Sequence, residues 1–163
     1  MTRHTVIAQR GARRVGVLAD LSPVEQLAVS CLRIWSLDPA SQTRLLAILA
    51  HGLGAVRARA ALEVMNEMMH IASRYGRRPF IRHAPDCDCL GADEAVFAGL
   101  IEAALDDDPD EAGLFAALVV RPDVARPFAG LAMELAVALS SLLRDAPQMM
   151  RRQTHPEPQT AMH

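Results

Sequence analysis

Between residues 83 and 89 this chain places three side chains that bind borderline and soft metals: His83, Cys87 and Cys89, in the order His-x3-Cys-x-Cys. Thiolate sulfur and imidazole nitrogen are the preferred ligands of zinc. Only Asp88 separates the two cysteines, so both can reach one ion if the backbone is not helical, and Pro85 bends the chain between His83 and Cys87. A closed zinc site takes four ligands, and this segment supplies three. His70 is the first choice for the fourth, because the helix that carries it ends close to the loop in sequence; Glu67, His51 and Cys31 are the other candidates. Glu67-x-x-His70 has the spacing of di-iron bundle motifs, but the chain holds no second copy, so a di-iron centre is not expected. Thiols must ionise to bind, so metal affinity should fall as pH is lowered.

The same residues admit two other readings. One is a loop with two ordinary thiols. The other is a thiol redox pair: a helix N-terminus follows, and Arg82 is adjacent, both of which favour thiolate. Asp86, Asp88, Asp93 and Glu94 act against it. A disulfide across one intervening residue is expected to be strained, and an odd count of three cysteines does not suggest a secreted disulfide framework. With no apolar run of signal-peptide length before Asp20, the expected setting is a reducing cytoplasm.

The elements that must position this loop read as helices. Of 163 residues, 51% are hydrophobic but only 4% aromatic, so Ala, Leu, Val and Met fill the core, which suits closely packed helices. Ser22-Pro23-x-Glu25 is a capping box with proline in the first turn, and Val24, Leu27, Ala28, Cys31, Leu32 and Trp35 follow at helical spacing. Asp38-Pro39 opens a second helix ending near Gly52 and Gly54; a third spans about 55–75. Asp93 is expected to cap a fourth, and Asp108 with Glu111 caps a fifth behind Pro109. The last helix is expected over 127–143, running to about Arg144. The chain is thus expected to be an all-α bundle of about six helices, with a short extended piece at Val15–Leu18. It divides into a basic arm (1–21), a helical domain (22–144) and a tail (145–163).

Charge names few partners. All 17 basic residues are arginine, and the net charge is −2. Arg3, Arg10, Arg13 and Arg14 make the arm basic, and every charge from Ala84 to Val120 is acidic. The arm could touch nucleic acid phosphates, which leaves a DNA-associated regulator as an alternative, although the helix beginning Ser41-Gln42-Thr43-Arg44 offers few side chains for base edges. A small metalloenzyme with an open coordination position is a further alternative. No Gly-rich phosphate loop, nucleophile elbow or His-Glu-x-x-His motif is present, so a non-enzyme is favoured. The last helix carries one charge, Glu134, between Arg126 and Arg144. Pro127, Glu134, Ser140 and Ser141 argue against a membrane span, and an almost wholly apolar helix points instead to a homodimer interface or to a central place in the bundle.

Overall fold

The computed structural model describes residues 11–153. Among the described residues the α-helices are α1 (Pro23–Trp35), α2 (Pro39–Leu53), α3 (Ala55–Tyr75), α4 (Ala92–Leu105), α5 (Pro109–Val119) and α6 (Pro122–Gln153). Two short strands, β1 (Arg14–Val17) and β2 (Cys89–Gly91), pair antiparallel with Val17 opposite Cys89. The architecture is all-α, as the helical periodicity requires. Arg3, Arg10 and residues 154–163 lie outside the described residues.

Local sequence sets the helix starts. The Ser22 hydroxyl accepts from Glu25 N, and the Glu25 carboxylate accepts from Ser22 N at 2.8 Å, which satisfies two otherwise orphan amides. Asp38 and Asp108 do half of this job, accepting from Ser41 N (2.6 Å) and Glu111 N (2.9 Å). Gly54, at φ 79°, turns α2 into α3 with no intervening loop, a backbone region that glycine enters without Cβ strain.

Two expected boundaries differ. Gly91, not Asp93, caps α4; Glu94 in its first turn accepts from Gly91 N, which frees Asp93 to be buried and to pair with Arg78. The last helix begins at Pro122 rather than Pro127 and continues past Arg144 into the segment expected to be a tail. Pro122 suits a first turn, and Pro127 is exposed near the start, where its missing N–H costs one bond. The stripe Ala125, Phe128, Ala132, Leu135, Ala136 and Leu139 is buried and carries the helix through it.

Helix α6 contacts each of the other five helices. Its Pro122–Asp145 portion is long and apolar enough to cross a membrane by length and composition. In the bundle, however, its apolar stripe faces Leu32, Met65, Met68, Phe97 and Ile101 within one continuous core, while Val137 on its outer side is 51% exposed. A smaller cluster of Val29, Leu90 and Ala98 lies where α1, β2 and α4 meet.

Candidate metal and thiol centre

The loop between α3 and α4 is shaped by its own residues first. Cys87 N donates to Ala84 O at 3.1 Å, closing a turn with Pro85 at its second position, where proline's fixed φ fits. The chain then enters β2. There, Leu18 N donates to Asp88 O and Ala92 N to Arg13 O, both at 2.9 Å, so the end of the arm is stitched to the cysteines.

Inside the loop lies a buried ion pair that the sequence did not announce. Arg33 of α1 and Glu94 of α4 are 1% and 0% exposed. Arg33 Nε and Nη2 donate to the two carboxylate oxygens of Glu94 at 2.7 and 2.8 Å, a bidentate fork. The remaining donors reach the loop backbone: Nη1 to Cys87 O (2.6 Å) and Ala84 O (3.2 Å), Nη2 to Cys89 O (2.7 Å). Glu94 in turn accepts from His83 N and Gly91 N, each at 3.0 Å. Every residue of the cluster is therefore held through its backbone by one guanidinium or its counter-ion. Burial alone would push the Glu94 carboxyl up; the hydrogen bonds from Arg33, then those from Gly91 and His83, outweigh it and hold the group below its ordinary value.

On this frame the ligating atoms of His83, Cys87 and Cys89 lie within 4.8 Å of one another, all three side chains half-buried. The His83 ring lies over Gly91, so that a Cβ there would stand 2.9 Å from Cδ2 and Nε2. Nε2 is 3.1 Å from Ala12 O. A carbonyl only accepts, so in the neutral ring Nε2 carries the proton and Nδ1 keeps the lone pair, the arrangement by which a backbone carbonyl orients a metal-binding histidine. Two thiolates and a neutral imidazole would balance a divalent cation, and the internally neutral Arg33–Glu94 pair asks for no further charge. The donor set fits zinc.

Cys87 and Cys89 are joined as a disulfide across the single intervening residue. The turn at Pro85 and the Arg33 grip on both flanking carbonyls bring the two sulfurs together, and Cys89 N donates to Cys87 Sγ at 3.4 Å. A disulfide sulfur is not a thiolate, so metal binding requires the reduced pair.

The expected fourth ligand is elsewhere. His70 is exposed on α3 and stands outside the cluster, as do Glu67 and His51, also exposed. Cys31 is buried in the main core, where desolvation raises its pKa to about 12. Among the described residues the cluster therefore contributes three ligands, and the fourth position would fall to water or to another molecule. Arg13 and Arg14 are exposed at the start of β1. Arg33 and Glu94 are the residues sequence reasoning missed. The local signal was slight, since Arg33 shares its side of α1 with the polar Gln26 and Ser30 as well as with Val29.

No protein-family model matches this chain, and no curated protein or solved structure shows significant similarity to it.

Proposed function

We propose that the reduced protein binds one divalent metal ion, zinc by preference, through the His83 imidazole and the thiolates of Cys87 and Cys89, for a structural or sensing role in the cytoplasm. The observation that carries this reading is the convergence of three suitable donor atoms within 4.8 Å on a backbone clamped by a buried arginine. A loop with two incidental thiols would need no such clamp. Elemental analysis of protein purified with a reductant and without chelator tests it. About one zinc per chain in wild type, and none in Cys87→Ser or Cys89→Ser, supports the site. Equal, near-zero metal in all three rejects it.

The disulfide favours a second reading, a dithiol–disulfide couple. A dithiol reductant would deliver two electrons and two protons to the bond, giving two thiols and its own disulfide. The two readings share the same sulfurs. They separate on whether the reduced form takes up zinc.

A further inference from the structure

Beside the cysteine loop, a cleft of about 470 Å³ opens between the C-terminal end of α1, the end of α3 and the chain leading to His83. Its volume falls within the range of small-molecule sites. Trp35, Met69 and Phe80 supply an apolar lining, Arg78 and Arg82 bring cations, and none of its lining residues is acidic. The aromatic walls are fixed. Trp35 Nε1 donates to Asn66 Oδ1 at 2.6 Å, and the Phe80 ring meets Phe97 edge-on, with centroids 6.4 Å apart.

The two arginines are not equivalent. Arg78 is spent: both terminal nitrogens donate to the Asp93 carboxylate. Arg82 is half-buried and forms no salt bridge among the described residues. Its Nη1 donates to Phe80 O at 3.3 Å, which leaves most of a five-donor guanidinium unused. Glu94, the carboxylate whose charge acts on Arg82, is already committed to Arg33, His83 and Gly91.

We propose that this cleft binds a small organic anion with an apolar body, its carboxylate or phosphate on Arg82 and its hydrocarbon between Trp35, Met69 and Phe80. A guanidinium fork matches either anion, whereas a neutral ligand would leave Arg82 as it is and a cation would meet repulsion. The site is separate from the cysteine cluster and does not depend on metal there.

Trp35 is the only tryptophan in the chain, so its fluorescence reports on this cleft directly. Octanoate and octyl phosphate are titrated into the full-length protein, with octan-1-ol as the neutral control and calorimetry as a second readout. A saturable change with at least one anion is expected, the alcohol binding at least about tenfold more weakly, as loss of a charge-assisted hydrogen bond implies. Arg82→Gln should reduce anion affinity to the level of the alcohol, Arg82→Lys should retain part of it, and Arg59→Gln, on another face of α3, should change nothing. Circular dichroism confirms that each variant is folded. Where Arg82→Gln does not fold, the comparison of anion with alcohol on wild type decides. Absence of saturable binding by either anion, alcohol binding as tight as the anions, or unaltered anion affinity in folded Arg82→Gln would overturn the proposal.

Discussion

Nε of Arg33 stands 2.7 Å from Oε1 of Glu94, and the same guanidinium holds the carbonyls of both cysteines. The pair joins α1 to α4 and suspends the loop between them. Removing one partner strands a charge in the core. Arg33→Met should therefore cost about 3–5 kcal/mol in urea unfolding. Arg33→Lys keeps the charge but loses the fork, and zinc affinity should fall about 10–100-fold while the helical signal persists. A loss below about 1 kcal/mol in Arg33→Met would show that the pair is not buried as described.

The depressed Glu94 carboxyl has a consequence for acid stability. Its folded pKa lies below the ordinary 4.5, so the stabilisation is complete above that pH and is lost as pH falls through the lowered value. Urea midpoints of wild type should drop below about pH 4.5 more steeply than those of Glu94→Gln. Parallel curves for the two proteins would show that Glu94 does not titrate in this way.

Thiol chemistry should divide the cysteines sharply. Cys31, buried and raised to about 12, should resist alkylation in the native reduced protein, whereas Cys87 and Cys89 react. Peptide mapping after a short iodoacetamide pulse checks this. Labelling of Cys31 at the rate of Cys89 would contradict its burial.

The outer face of α6 motivates a proposal about assembly. Val137 is exposed and borders a groove in which Leu53, Ala60, Val64 and Ala138 are flanked by Arg57, Glu134 and Ser141. We propose that a second copy of the chain covers this face as a homodimer. Val137→Glu should then shift sedimentation at micromolar concentration from dimer to folded monomer. Monomeric wild type would end the proposal. Met133, half-buried against the core, is the less clean position for such a test.

Much of this fold is written locally. Ser22-Pro23-x-Glu25, Asp38-Pro39 and Asp108-Pro109 each name a helix start because cap and first turn lie within four residues, and the structure places helices there. The cluster was legible for the same reason, three donors in one short loop. What was not legible depends on partners far apart in sequence. Arg33 and Glu94 are separated by 61 residues, and nothing local to either says that the other neutralises it. Asp93 suits a cap by its type, yet Glu94 serves Gly91 while Arg78 claims Asp93. The α6 start was displaced because Pro127 looks like a boundary until the buried stripe from Ala125 onward outweighs one lost hydrogen bond. The disulfide follows from how the turn at Pro85 and the Arg33 grip fold the loop, which spacing alone does not reveal.

Zinc affinity as a function of the redox state of Cys87 and Cys89 tests the central claim most directly. Fully reduced protein, kept free of oxygen, is titrated against a chromophoric zinc chelator, alongside the same protein after oxidation to the disulfide and the variants Cys87→Ser, Cys89→Ser and His83→Ala. Reduced wild type should withdraw one zinc per chain, the oxidised protein none, and each variant should bind at least about tenfold more weakly. A reduced wild type that takes no zinc, or serine variants that bind as tightly as wild type, would contradict a metal centre at His83, Cys87 and Cys89.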